Sequence, residues 1–233
     1  MPIGMGLAGG RLGYGLAQSA GAAAVPWYRA GGAPAPVAVY QPKGAASLAA
    51  SYLRIAGSGG YANIDPAVVG GVAPTFDAAT GWTFNGSNTR LDTGITPDNN
   101  QAWSIIIRFS GRTNSSTPLS VAGNTVSYPR FGFYLDGSNV YYYNGDLASK
   151  AGNVTAGVLA VAGTKCYRNG ADEGLTLGAK AGAFVGSLPL GCRRLTAVGF
   201  DLYYAGAMQA VAVYSDTLTA PQVAAISSAM AAL

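Results

Sequence analysis

The side chains that could perform chemistry are few in this chain, and histidine is not among them. Ser–His and Cys–His nucleophile pairs and histidine-bound metals are therefore excluded. Glycoside hydrolysis usually uses two carboxylates flanking the scissile bond, but Glu173 is the only glutamate. It follows Asp172 directly, so the two side chains would point to opposite faces of a strand, and the preceding pair Asn169-Gly170 favours a loop tip. We predict no catalytic residues and a protein that is not an enzyme.

A metal site and a cofactor site are equally poorly supported. Calcium could bind at Asp92, Asp136 or Asp201 with turn carbonyls, but no ligand spacing supports such a site, so no metal is predicted. Residues 4–9 (GMGLAG) match the dinucleotide fingerprint, yet that motif needs a strand before it and a helix after it. Only three residues precede it. We therefore expect no cofactor.

Aromatic side chains with a polar group are the second candidate for function. The run Tyr141-Tyr142-Tyr143 must direct at least one ring away from the core, because neighbouring strand residues alternate between faces. Such rings suit both sugar stacking and protein interfaces. The other interpretation, ordinary sandwich core with single surface tyrosines, stays open. The candidate residues for binding a glycan or a protein surface are Trp82, Tyr141, Tyr143, Tyr203 and Tyr204.

The two cysteines, Cys166 and Cys192, are too few for a disulfide framework and lack metal-ligand spacing. We interpret them as two free, buried thiols. A single bridge between them is the alternative.

The beginning of the chain is its most unusual stretch. Residues 1–32 are glycine and alanine with almost no charge, and such a segment buries too little apolar surface to fold alone. We interpret residues 1–36 as an assembly arm that lies extended and contacts a neighbouring subunit. The alternative is that it adds an edge strand to its own sandwich. The arm side chains expected at the interface are Met5, Leu7, Arg11, Leu12, Tyr14 and Trp27.

Composition limits the partners and the location. Charged residues make up 10% of 233, against roughly 25% in an ordinary soluble domain. This indicates surface covered by other subunits and predicts a homo-oligomer. The net charge is +4, but the basic residues are scattered, so nucleic acid is not an expected partner. No apolar run approaches the ~20 residues of a bilayer span, and no continuous apolar region follows Arg11 as in a signal peptide. We expect neither membrane insertion nor export by that route.

From residue 37 onward, short apolar runs alternate with turns, which is typical of an all-β sandwich or jelly roll. Residues 103–109 place Trp103, Ile105, Ile107 and Phe109 on one strand face. Residues 207–214 form an almost wholly apolar strand, which belongs in the middle of a sheet. A capping box at residues 219–222 starts a helix near 221–231, and a second short helix is expected within 44–53. Residues 37–233 form a single domain.

Several segments occur in a recognisable order. They are TFNGS (83–87) with LDTG (91–94), WSIIIRF (103–109), YRNG (167–170), and GAMQAVAVY (206–214) followed by LTAPQV (218–223). In this order they resemble the strands of laminin G-like (LamG, concanavalin A-like) jelly-roll domains, over about residues 37–233. The resemblance implies a two-sheet antiparallel jelly roll with a short C-terminal helix. It implies binding rather than hydrolysis, because the acidic motif of the glucanase branch is missing.

A glycine-rich arm on a LamG-like domain also resembles small structural proteins of tailed bacteriophages, where such domains form tail-fibre, tail-tip or capsid-decoration parts. This implies a non-enzymatic virion protein, made in the host cytoplasm and bound to other virion subunits, with a host surface glycan as a further partner. The alternative is a carbohydrate-binding module on a cell surface, which requires a concave aromatic patch.

Overall fold

A computed structural model describes residues 24–57, 64, 72–113, 116–122, 129–184, 186–194 and 199–233. Within them the chain is mostly β-strand, folded as a β-sandwich of antiparallel-rich sheets. The strands are β1 Ala38–Tyr40, β2 Thr75–Asp77, β3 Gly81–Asn85, β4 Leu91–Asp92, β5 Ser104–Ser110, β6 Ser116–Ala122, β7 Arg130–Asp136, β8 Asn139–Ala151, β9 Gly157–Ala162, β10 Lys165–Arg168, β11 Ala171–Thr176, β12 Pro189–Leu190, β13 Arg193–Arg194, β14 Phe200–Asp201 and β15 Ala205–Tyr214. The helices are a 3-10 helix at Trp27–Gly32, α1 at Leu48–Ser51 and α2 at Ala220–Ala231.

Among the described residues, the larger sheet has eight strands built around β15, the apolar strand that the sequence places mid-sheet. Its order is β11-β10-β9-β5-β15-β3-β2, and β1 also pairs with β15. On one side β15 pairs with β5, for example Val211 opposite Ile107. On the other side it pairs with β3 through its first half and with β1 through its second. The predicted central position of this strand is confirmed.

In the part of the chain that the structure describes, the second sheet has five strands in the order β14-β13-β6-β7-β8. Its hairpin β7–β8 turns at Asp136, whose Oδ1 accepts hydrogen bonds from the backbone N–H groups of Ser138 at 2.8 Å and Asn139 at 2.6 Å. The pair β13–β6 is parallel, so the expectation of wholly antiparallel sheets is wrong at this position. The reason is that β13 is not joined to β6 by a hairpin. It comes directly after β12, which pairs with β4.

The main core lies between the sheets. Trp103, Ile105, Ile107 and Phe109 all belong to it, as the alternation in β5 predicts. A second apolar cluster lies on the opposite face of the larger sheet, under α2. This helix begins as expected, with the Gln222 side chain accepting the Thr219 N–H at 2.9 Å. Its inward side chains, Val223, Ile226 and Met230, are fully buried in the second cluster.

Part of the expected arm belongs to this second cluster. Trp27 is 8% exposed, and its indole N–H donates to Gln41 Oε1 at 2.7 Å. The Gln222 side chain donates to the Gly32 carbonyl at 3.2 Å, and the Tyr214 hydroxyl donates to the Tyr28 carbonyl at 2.7 Å. The expectation that Trp27 contacts a neighbouring subunit is therefore wrong, because α2 offers an apolar flank within the same chain. Met5, Leu7, Arg11, Leu12 and Tyr14 lie outside the described residues.

Asn144 connects the two sheets through its buried amide. It lies on β8 and is fully buried, and its Nδ2 donates to the Gly163 carbonyl at 2.8 Å and the Trp103 carbonyl at 3.2 Å. Asn144→Ala leaves both carbonyls without this donor. We expect a loss of about 1–3 kcal/mol in the free energy of unfolding, measured by urea denaturation. The control Asn88→Ala, at an exposed turn residue, is expected to change it by less than about 0.5 kcal/mol. Equal losses in the two variants would contradict the bridging role.

Candidate functional site

Tyrosine and arginine side chains cluster on the solvent side of the five-stranded sheet. In β7, Phe131 and Phe133 point into the core, so Arg130 and Tyr134 lie on the outer face. In β8, Tyr142 points inward, so Tyr141 and Tyr143 share that outer face. The hairpin register pairs Tyr134 with Tyr141 and Gly132 with Tyr143. We call this surface the tyrosine–arginine face, and its members are Arg130, Tyr134, Tyr141, Tyr143, Arg193 and Leu202.

Tyr143 forms the floor of this face beneath the Arg130 guanidinium. The guanidinium carbon lies 5.1 Å from the centre of the Tyr143 ring, and Nη1 donates to the Tyr143 hydroxyl at 3.3 Å. Gly132, opposite Tyr143 in the register, has a φ of 124° and no side chain to crowd the ring. Tyr143 is 5% exposed. Burial raises the pKa of its hydroxyl, and Arg130 opposes that rise. The hydroxyl therefore stays protonated at neutral pH and can accept from Arg130.

Arg193 reaches the same face from β13 and is held by Asp201 on β14. Its Nε donates to Asp201 Oδ1 at 2.9 Å and its Nη2 donates to Oδ2 at 2.6 Å. This paired geometry fixes the plane of the guanidinium. The hydrogen bonds to Asp201 raise the pKa of Arg193. The side chain keeps 23% of its surface exposed, so Arg193 is oriented by Asp201 and still reaches solvent.

A concavity of about 230 Å³ opens between these side chains. It is lined by Arg130, Tyr134, Tyr143, Arg193 and Leu202. Leu202 has a φ of 48°, a conformation that costs an L-residue energy and that often occurs at ligand sites. The volume is below the roughly 300–1,000 Å³ of pockets that enclose a drug-sized ligand. The concavity therefore suits one end group of a larger ligand, with positively charged guanidiniums for an anionic oxygen and the Tyr134 ring for stacking.

The sequence placed only part of this face correctly. Tyr143 lines the concavity, and Tyr141 lies beside Tyr134, with ring centres 5.5 Å apart. The Tyr141 hydroxyl donates to Asp136 Oδ2 at 2.7 Å, and this hydrogen bond lowers the pKa of Asp136. Tyr203 is partly exposed and does not line the concavity.

The prediction that Trp82 and Tyr204 bind a ligand is wrong, because both side chains are fully buried in the main core. The Trp82 indole donates to Ser51 Oγ at 2.7 Å, and the Tyr204 hydroxyl donates to the Ser110 carbonyl at 3.2 Å. Each polar group thus has a partner inside the fold, so neither ring needs the surface. A ligand approaching from solvent does not reach either of them.

Sequence reasoning missed Arg130, Tyr134, Arg193 and Leu202. The first two had a usable signal, since the alternation around Phe131 and Phe133 and the turn after Asp136 fix which residues share the outer face. Arg193 had none, because it arrives on a strand of two residues in a parallel pair.

Two of the carboxylates in the described residues, Asp92 and Glu173, are each held by an arginine side chain. Asp92 pairs with Arg194, and Glu173 pairs with Arg168 at 2.6 Å. Glu173 lies on β11 rather than in the loop tip that the sequence suggested. No group of three or more Cys, Asp or Glu side chains suited to a metal ion occurs among the residues that the structure describes. Among those residues, too, no helix has the length and apolar character of a membrane span.

Both cysteines are free and buried, which confirms the interpretation as separate thiols. Burial raises the pKa of the Cys166 thiol to about 12. Cys192 is raised as well, also chiefly by burial. Neither thiol is therefore ionised at neutral pH, and thiolate chemistry is not available from them.

Comparison with known proteins yields a fold and no family. No family model matches the chain, and no curated protein sequence matches it. A Trypanosoma rangeli sialidase in complex with 2,3-difluorosialic acid is 13% identical over 83% of this chain, with a TM-score of 0.54. A second complex of that sialidase, with sialic acid, is 10% identical over 83% of this chain, with a TM-score of 0.53. The chain spans 33% of each sialidase chain, and identity this low establishes a shared fold alone.

A carbohydrate-binding domain also matches, but more weakly. The Ruminococcus gnavus IT-sialidase CBM40 bound to α2,3-sialyllactose is 14% identical over 62% of this chain and 95% of that domain. Its TM-score is 0.43, which is too low to support an argument about this chain.

Proposed function

We propose that this chain is a non-catalytic carbohydrate-binding domain of the concanavalin A-like jelly-roll type, which binds its ligand at the tyrosine–arginine face. The observation that carries the proposal is the convergence of Arg130, Arg193, Tyr134 and Tyr143 on one concavity. The carbohydrate-binding interpretation of the sequence requires a concave patch of aromatic side chains. The shared fold with part of a sialidase supports a sandwich of this type.

The ligand of this face carries a negative charge. Two guanidiniums border the concavity, and one of them, Arg193, is paired with Asp201. The Arg130 guanidinium lies over the Tyr143 ring and so brings its positive charge to the lining of the concavity. A carboxylate on a sugar is bonded well by such planar donors, while the Tyr134 ring offers a surface for stacking. We infer an acidic glycan as the ligand class.

Titration calorimetry with α2,3-sialyllactose and with lactose tests this proposal, since lactose is the same oligosaccharide without the carboxylated sugar. We expect binding of sialyllactose and much weaker binding of lactose. Arg130→Met removes a charged hydrogen-bond donor and is expected to weaken binding about tenfold or more. The matched control Arg29→Met changes an exposed arginine away from the concavity and is expected to leave binding unchanged.

Two results would overturn the proposal in different ways. Equal affinity for lactose and sialyllactose would refute the acidic ligand while keeping carbohydrate binding. Absence of binding across a panel that includes sialylated, uronic-acid and sulfated oligosaccharides would refute carbohydrate binding itself.

The virion role and the absence of catalysis stay predictions from the sequence. A place in a tailed-phage particle, with other virion subunits as partners, depends on the arm, and residues 1–23 lie outside the described residues. Gene neighbourhood tests it: capsid, portal and tail genes alongside would favour the virion role, and glycan-utilisation genes would favour a surface module.

A further inference from the structure

The tyrosine–arginine face continues from the concavity along the β7–β8 hairpin toward its turn. On that side Tyr134 lines the concavity, and Tyr141 lies directly opposite it in the register. On the other side Arg130 stands opposite Gly145, which carries no ring. A ligand that fills the concavity with one end group therefore meets its next aromatic surface on the side of the turn.

Tyr134 and Tyr141, which we call the tyrosine pair, offer a place for a second sugar. Their ring centres are 5.5 Å apart, with 60° between the ring planes, and both residues are partly exposed. Tyr141 lies two residues from Tyr143 in β8, about 7 Å along the strand, which is the scale of one sugar residue. Aromatic rings of this kind suit stacking against a sugar.

Asp136 adds a negative charge at the end of the tyrosine pair. Its Oδ2 accepts from the Tyr141 hydroxyl at 2.7 Å, and its Oδ1 accepts from the backbone N–H groups of Ser138 and Asn139. These hydrogen bonds lower the pKa of Asp136, so the carboxylate is ionised at neutral pH. The three donors are uncharged and leave its negative charge in place.

Charge is therefore ordered along the face. Arg130 and Asp136 lie on the same side of β7, six residues and about 20 Å apart along the strand. A carboxylate on the end group of a ligand is attracted by the guanidiniums at the concavity. A second carboxylate on the following sugar would lie beside Asp136 and be repelled, which is how a binding site excludes a wrong partner.

We propose that Asp136 makes this face selective for an oligosaccharide with one acidic sugar at its end and neutral sugars behind it, an inference that rests on the glycan-binding function proposed above. The acidic sugar occupies the concavity beside Arg130 and Arg193. The next sugar stacks on the tyrosine pair. A glycan that carries a charge on every sugar is rejected because its second carboxylate meets Asp136.

Titration calorimetry with three probes tests the selectivity: a methyl sialoside, α2,3-sialyllactose, and an α2,8-linked trimer of sialic acid. We expect sialyllactose to bind about tenfold more tightly than the trimer. Asp136→Asn keeps an oxygen for the turn but removes the charge, and is expected to raise the affinity for the trimer relative to sialyllactose about tenfold. Asp77→Asn, at an exposed aspartate that also accepts backbone N–H groups in a turn, is the matched control and is expected to keep the wild-type ratio.

Truncation of the tyrosine pair tests the place of the second sugar. Tyr141→Ala is expected to weaken sialyllactose about tenfold more than the methyl sialoside, because the smaller probe ends before the pair. Tyr141→Phe keeps the ring and is expected to retain most of the sialyllactose affinity, which separates stacking from a folding defect. Tyr28→Ala is the control, since Tyr28 packs in the second cluster on the far face of the larger sheet.

The outcomes separate this inference from the function on which it rests. A trimer that bound the wild-type chain as tightly as sialyllactose would overturn the inference and leave glycan binding in place. So would an Asp136→Asn variant with the wild-type ratio, or a Tyr141→Ala variant that weakened both smaller probes equally. Absence of binding by these probes and by the wider oligosaccharide panel would refute the glycan-binding function itself.

Discussion

Trp82→Ala is expected to lower the free energy of unfolding by about 3–5 kcal/mol, the usual loss for removing a large buried ring. The indole is fully buried and stacks on Tyr52 with ring centres 5.9 Å apart. Tyr40 lies 6.4 Å away on another side. The substitution also removes the donor to Ser51 Oγ, so it combines a cavity with a lost buried hydrogen bond.

Urea denaturation followed by circular dichroism measures this loss. Leu147→Ala is the control, because that side chain is 43% exposed and its truncation is expected to cost less than about 0.5 kcal/mol. A second variant, Trp82→Phe, fills much of the space and is expected to lose less than Trp82→Ala. If Trp82→Ala kept its stability but lost glycan affinity, the indole would be a ligand contact and its placement in the core would be wrong.

Trp27→Ala is expected to cost about 3 kcal/mol in the free energy of unfolding, at the lower end for a buried tryptophan because its second cluster is smaller than the main core. The indole covers the flank of α2 and bonds Gln41 Oε1. Its loss leaves a cavity under α2 and an amide without its donor. Thermal unfolding monitored by far-ultraviolet circular dichroism is the measurement.

Val25→Ala is the matched control for this prediction. Val25 lies two residues earlier in the same segment and is 69% exposed, so its truncation is expected to leave stability nearly unchanged. If Trp27→Ala also left stability unchanged and abolished self-association, the original interpretation of this residue as an intersubunit contact would be restored.

Much of the fold follows from alternation in the sequence. The strand faces of β5 and the central place of β15 were readable because burial on one or both sides leaves a period-2 or continuous apolar pattern. The start of α2 was readable from Thr219 and Gln222, whose reciprocal bonding is local. The parallel pair β13–β6 was not, because two-residue strands carry no periodicity and their pairing is decided by distant chain segments.

In the candidate site, too, local sequence patterns predict some positions, whereas contacts between distant chain segments decide others. Tyr141 and Tyr143 can be identified from the sequence because neighbouring strand residues alternate between faces, so the run 141–143 must direct at least one ring away from the core. Trp82 and Tyr204 were misplaced because each polar group has a partner within the fold, and such partners come from residues far away in sequence, as Ser51 does for Trp82. Trp27 was misplaced for a related reason: α2, which covers it, lies at the other end of the chain.

The position of β15 in the sequence has a consequence for biosynthesis. Every other strand of the larger sheet precedes it in the chain, yet it pairs with β5, β3 and β1 and so joins the two halves of that sheet. A nascent chain that has not yet emerged through Ala205–Tyr214 carries two half-sheets with open edges, which are aggregation-prone. The larger sheet therefore cannot be completed before β15 has left the ribosome. Until then, the partly folded chain exposes the strand edges that β15 later covers.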